Sequence, residues 1–143
     1  MYKKLGILFS LLFAVASVNA ADGSTKPAVQ ARQAMEARNA ETYSQTMTAA
    51  DAASHYAYGK VAEGKTEYIK VAQACADCAD MAGVAAKFSA RGSPMAEMAG
   101  EALAKCCDMT AQEAEKLNDP ALAMCIEHCK RAATQARELQ KAQ

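Results

Sequence analysis

Residues 122–139 read LAMCIEHCKRAATQAREL. Leu122, Cys125, Cys129, Ala132, Ala136 and Leu139 follow one another in this stretch by three, four, three, four and three. Side chains so spaced share one face of an α-helix, so the stretch reads as a buried helical seam. At Cys125 and Cys129 thiols replace the leucines that a helical core would ordinarily use. A core that gives up apolar volume for soft sulfur points to metal, to disulfides, or to close packing of small residues.

Working outward, the same pattern recurs twice. A helix over about residues 66–91 carries Tyr68, Val71, Cys75, Cys78, Ala82 and Ala85 on one face, and one over about 94–117 carries Gly100, Leu103, Cys107, Thr110, Ala114 and Leu117. Gly92-Ser93-Pro94 separates them with a left-handed cap, a helix N-cap and a first-turn proline. Asn118-Asp119-Pro120 repeats that logic before the last helix, expected from Pro120 to about residue 141. A first helix should start near Pro27 and run to about Tyr58, with possible breaks at Asn39 or Thr48. Its inward positions are expected at Tyr43, Met47, Ala50, Ser54 and Val61, and residues 59–65, with two glycines, read as a turn. Ala, Glu, Lys, Gln and Met abound, prolines number three, and no alternating strand pattern of useful length occurs. The fold class is therefore all-α, an antiparallel up-down-up-down four-helix bundle over residues 28–143.

The N-terminus reads as a secretory signal over residues 1–20. Lys3 and Lys4 precede an apolar run over 5–18, and Val18-Asn19-Ala20 is a small-residue cleavage site. The run is too short to span a bilayer comfortably, and no second apolar segment follows, so no membrane association is expected after cleavage. Residues 21–27 read as a polar, disordered lead. Cleavage leaves 123 of 143 residues, one domain with a modest core and a net charge of −2. With no basic patch and no tryptophan, nucleic-acid binding has no support. The expected location is periplasmic or secreted. The sequence also lacks a Ser-His-acid order with a nucleophile elbow, a Gly-rich phosphate loop and an HExxH motif, so it does not read as an enzyme.

The six cysteines carry the chemistry. Cys75 and Cys78 stand at i and i+3, Cys125 and Cys129 at i and i+4, so each pair presents two sulfurs on one face. Cys78 and Cys107 lie 14 and 15 residues from the turn near Gly92, and Cys107 and Cys129 lie 12 and 10 from the turn near Asp119. In an antiparallel bundle these positions fall within about a turn of one another. Cys75, Cys78, Cys107, Cys125 and Cys129 should form one mid-bundle cluster, with Met47 at the same level. Cys106 cannot share the angle of Cys107 and is a further possible ligand toward a neighbouring seam. His128, beside Cys129, is a candidate access ligand at the edge of the cluster, the alternative being a surface histidine. His55 reads as a packed or solvent histidine. Met81, Met98, Met109 and Met124 read as packing filler or as a soft relay for Cu(I).

Soft sulfur favours Cu(I) and zinc over calcium or magnesium. Zinc is the less favoured, because ribbon-type pairs sit on turns and these lie inside helices. A redox CxxC needs a helix N-terminus, and Cys75 is well inside its helix. Disulfides between Cys78 and Cys107, or Cys107 and Cys129, are the main rival if the Cα atoms come within about 7 Å. Free thiols acting as small hydrophobes complete the set.

From Cys75 onward the chain resembles the cysteine-rich four-helix-bundle copper-binding family that includes the bacterial copper storage proteins. The matching text is CADCAD (75–80), ARGSP (90–94), the pair Cys106-Cys107 and CIEHCKRAATQAREL (125–139). The resemblance implies a bundle lined with cysteines that hold many Cu(I) ions. Positions such as Ala82, Leu103, Leu122 and Ala132, often cysteine in that family, are not cysteine here, and the first helix has none. The expectation is an exported, small-capacity Cu(I) binder that sequesters or hands on copper through core thiolates. The alternative is a disulfide-stabilised helical bundle without metal, acting as a structural or interaction module.

Overall fold

The computed structural model describes residues 25–141, so the expected signal and the first part of the polar lead lie outside the described residues. Four α-helices follow in order: α1 Thr25–Ala62, α2 Ile69–Ala90, α3 Ala96–Leu117 and α4 Ala123–Lys141. Single 3-10 turns, Thr66–Tyr68 and Pro120–Leu122, lead into α2 and α4. No helix among the described residues is long and apolar enough to cross a membrane.

Pairing across the helices runs antiparallel. Along α1, Ser54 meets Ala72, and the Glu36 side chain lies beside Gly92 near the far end of α2. Thr110 of α3 reaches Ala74 of α2, and Cys107 reaches Cys78. Asp108 pairs with Arg137, and Glu115 with Lys130, between α3 and α4. The fourth wall closes where Thr46 of α1 meets the backbone of His128 on α4. The result is the four-helix bundle expected from the sequence.

The first helix departs from expectation at both ends. It starts at Thr25, so the last three residues of the lead are helical, and Pro27 sits inside the first turn rather than at its start. The N–H groups of a first turn have no intrahelical partner, so proline is tolerated anywhere in it. It also continues through Gly59 to Ala62 without a break at Asn39 or Thr48. Thr46 and Thr48 return their hydroxyls to the carbonyls of Thr42 and Ser44, four residues back, and the helix absorbs them. The turn itself is short. Gly64 takes φ +86°, its N–H bonds to Val61 and that of Lys65 to Lys60, the paired bonds of a Schellman cap. Gly92 at φ +59° does the same for α2, and Asn118 at φ 48° ends α3.

One end of the bundle is clasped. Tyr56 of α1 and Tyr68 before α2 both donate to Asp119 Oδ2, at 2.8 and 2.7 Å, and their rings meet edge to face at 6.2 Å. Asp119 Oδ1 also accepts from the Ala121 N–H at 2.9 Å, as the cap of the turn into α4. One carboxylate thus ties together three connections. The hydrogen bond from Tyr68, with those of Ala121 and Tyr56, holds it below the usual carboxylate range.

Large apolar side chains are few in the core. Tyr43, Leu103, Leu122 and Val71 are its largest buried members, and alanines such as Ala50, Ala82, Ala114 and Ala132 fill most of the rest. Small residues let the helices approach closely, which sets the distance between sulfurs on facing helices.

Candidate metal centre

Each thiol reaches the axis because a helical step puts it there. Cys75 and Cys78 share the α2 stripe with Val71 and Ala82, and all four are buried. Cys107 lies one turn beyond Leu103 on α3, and Cys125 and Cys129 continue the stripe of Leu122 on α4. The sulfurs form a continuous chain: Cys75 to Cys125 at 3.8 Å, Cys125 to Cys129 at 4.0 Å, Cys129 to Cys78 at 3.7 Å and Cys78 to Cys107 at 3.5 Å. None of these is a bonded pair, and all six cysteines are free.

Three of them make a compact triangle. Cys78, Cys107 and Cys129, one from each of α2, α3 and α4, have all sulfurs within 4.8 Å of one another. With two edges of 3.5 and 3.7 Å, a point equidistant from the three sulfurs lies about 2.4 Å or less from each, close to the ~2.3 Å of a metal–thiolate bond. Three soft donors in an apolar enclosure fit a thiophilic ion.

The cluster shares its protons internally. Hydrogen bonds from Cys106, Cys107 and Cys129 pull the Cys78 thiol down against the opposing effect of burial. Hydrogen bonds from Cys129 and Cys75 bring Cys125 down to about 4, with His128 helping. Cys129 is pushed up by its hydrogen bonds to Cys107, Cys125 and Cys78, and Cys75 by its bond to Cys125 and by burial. In each of these sulfur–sulfur contacts either partner can donate, so the protons are shared across the cluster.

The five core cysteines thus meet as the spacing predicted. Cys106 is partly exposed and packs at the edge of the core on the α2–α3 seam. His128 is also partly exposed, at the α1–α4 seam. Its Nδ1 lies 2.8 Å from Arg131 Nη2, which also donates to Gln45 at 2.7 Å. The imidazole is thereby tied to a surface contact beside the cluster. Met47 does not face the cluster. It is 37% exposed, and its sulfur packs over Gly83, where an added Cβ would stand 3.1 Å away. The inward residue at that level is Thr46, fully buried, with its hydroxyl on the carbonyls of Thr42 and His128. The reason is phase: alanines on several faces of α1 left its inward stripe ill defined, and Met47 lies one position off it. Met98, Met109 and Met124 are likewise exposed, at 56, 65 and 66%.

Thr110 and Tyr43, both expected inward, form the layer next to the sulfurs. Thr110 donates to the carbonyls of Ala74 and Cys106, pinning α3 to α2 beside Cys78. The buried Tyr43 hydroxyl has no hydrogen-bond partner and is pushed up to about 12, chiefly by burial and then by Cys107.

A family model described as copper storage protein matches residues 35–141, three-quarters of the chain, including every helix and all six cysteines. The chain belongs to the copper storage protein family. No curated protein and no solved structure matches it. The family stores copper and is not enzymatic, in keeping with the lack of catalytic motifs. Membership and the thiol triangle together make copper the metal that this cluster suits.

Proposed function

We propose that this member of the family is exported and binds Cu(I) in small number through the thiolates of Cys75, Cys78, Cys106, Cys107, Cys125 and Cys129, either to sequester it or to hand it on. The observation that carries the reading is the triangle of Cys78, Cys107 and Cys129, closed by sulfur alone. Cu(I) is the oxidation state that thiolates favour, and two- and three-sulfur coordination suits it. Zinc would want a fourth donor in tetrahedral array. Cys125 is a further sulfur beside the triangle, at 4.0 Å from Cys129, but it is paired with Cys75 at 3.8 Å. The small capacity follows from α1, which contributes no thiol. Residues 1–20 would supply the export signal, with a periplasmic or secreted destination.

The test is anaerobic titration of the reduced mature protein against a competing Cu(I) chelator. A few ions should be held per chain. Loss of all copper to a weak competitor would refute the reading. A second reading has its own support: the 3.5 Å approach of Cys78 to Cys107 would let an oxidising compartment close a disulfide there. Protein isolated under air would then show fewer than six reactive thiols and would melt lower after reduction.

A further inference from the structure

The sulfurs are closed off along the bundle axis. On the clasped side Val71 and Leu122 lie one turn beyond Cys75 and Cys125, both buried, under the Tyr56–Tyr68–Asp119 contact. On the other side Tyr43 and Leu103 fill the axis and are fully buried. Five of the six thiols have no useful exposure, Cys125 being the most accessible of them at 2%. Only Cys106 is partly open.

The surroundings of Cys106 point the same way. An open groove on the α2–α3 seam is lined by Lys70, Ala74 and Asp77 on one bank and by Met109 and Glu113 on the other. Met109 stands three residues after Cys106, 65% exposed. Asp77 on the facing helix and Cys78 both act on the Cys106 thiol, Cys78 the more strongly. Thr110 ties α3 to α2 here through its bonds to the carbonyls of Ala74 and Cys106. An exposed thioether at Met109, the partly exposed Cys106 three residues before it and the buried triangle that begins at the adjacent Cys107 thus follow one another along α3 from surface to core.

We infer that copper passes through the side of the bundle at the α2–α3 seam, with Cys106 as the transfer ligand between the exterior at Met109 and the interior at Cys78. The inference rests on the Cu(I)-binding reading. In the transfer, the Cys106 sulfur displaces one ligand of the chelator that delivers Cu(I), and the thiol proton goes to solvent as the chelator leaves. The Cys78 sulfur then adds to the ion. As the bond from copper to Cys106 breaks, Cys106 takes up a proton and Cys78 releases one, so charge is conserved at each exchange. No oxidant is needed.

The experiment is stopped-flow loading of reduced mature protein with chelated Cu(I) under anaerobic conditions, paired with equilibrium competition. Cys106→Ser should slow loading by about ten-fold, and equilibrium competition should show the loss of at most the one ion that Cys106 helps to hold. Met109→Ala should slow it less, and His128→Ala should leave it unchanged. Cys106→Ala, a smaller side chain at the same partly open position, guards against a folding artefact and should match the serine variant. A readout without copper runs beside these: brief alkylation of the folded apoprotein should label Cys106 first. Wild-type loading rates in both Cys106 variants, with copper still held, would overturn the seam route alone, as would earlier labelling of Cys125. A wild-type protein that holds no copper would overturn the functional reading and the route with it.

Discussion

Helix α1 and the three helices that face it share one core but divide its chemistry. From α2, α3 and α4 comes every thiol; from α1 come Tyr43, Thr46, Ala50, Ala53 and Ala57, a wall of small or hydroxyl-bearing side chains. The difference teaches that three helices suffice to close a thiol triangle, and that the fourth sets how many donors the interior contains. A bundle needs four walls to exclude water, but only those with cysteine contribute coordination.

The largest test of this division removes a sulfur at the junction. Cys78 touches Cys107 and Cys129 and has Cys106 as a further partner, whereas Cys75 touches Cys125 alone in the facing helix. Cys78→Ala should weaken Cu(I) binding by about a hundred-fold or more, about 2.7 kcal/mol, and Cys75→Ala distinctly less, as read by chelator competition. Equal losses would mean that the triangle is not the tight site.

The converse adds a donor to the wall that has none. Ala50 is fully buried on the inward face of α1. Ala50→Cys should raise the copper held per chain, measured by native mass spectrometry. An unchanged load would place α1 outside the reach of the cluster.

The same contrast explains what was legible beforehand. On α2, α3 and α4 each inward stripe mixes cysteine, leucine or valine with polar neighbours, so period and phase could both be read, and the glycine, asparagine and proline signals marked the ends. The meeting of five thiols followed from those stripes and the short connections. On α1 Tyr43, Ala50 and Ser54, expected inward, are buried, but alanines on several faces left the positions between them ambiguous. That is why Met47 was placed inward in the position that Thr46 holds, and why Gly59 was read as a turn. Gly59 itself is exposed and packs against nothing, but buried Ala57 and half-buried Tyr56 anchor the last turns of α1, and the Schellman cap comes only at Gly64. The role of Tyr43 and the bracing by Thr110 depend on contacts between helices and had no sequence signal.

Two smaller tests concern stability. The clasp at Asp119 joins α1 to the start of α2 and of α4. Asp119→Ala removes a cap worth about 1 kcal/mol together with both tyrosine contacts, and should lower Tm by about 3–6 °C at neutral pH. Because partners depress the carboxyl's folded-state pKa, its contribution is present above the unfolded value and is lost as pH falls through the folded one. The difference in Tm between wild type and variant should therefore shrink on acidification, as calorimetry would show. At the other end, Tyr43→Phe removes a buried hydroxyl that has no partner. It should leave Tm unchanged or raise it by a few degrees, since burying an unpaired polar group costs about 1–3 kcal/mol.

The central claim is that copper is held by the free thiols of α2, α3 and α4. Native mass spectrometry of the reduced mature protein, loaded with Cu(I) before or after complete alkylation in denaturant and refolding, addresses it most directly. The account predicts a few copper ions on the thiol form and none on the alkylated form, with circular dichroism verifying that the alkylated chain is helical. As a folded control, the chain with Cys78, Cys107 and Cys129 all replaced by alanine should lose the tightest-bound copper. Copper retained in equal amount by that variant, or none held by the wild type, would contradict it.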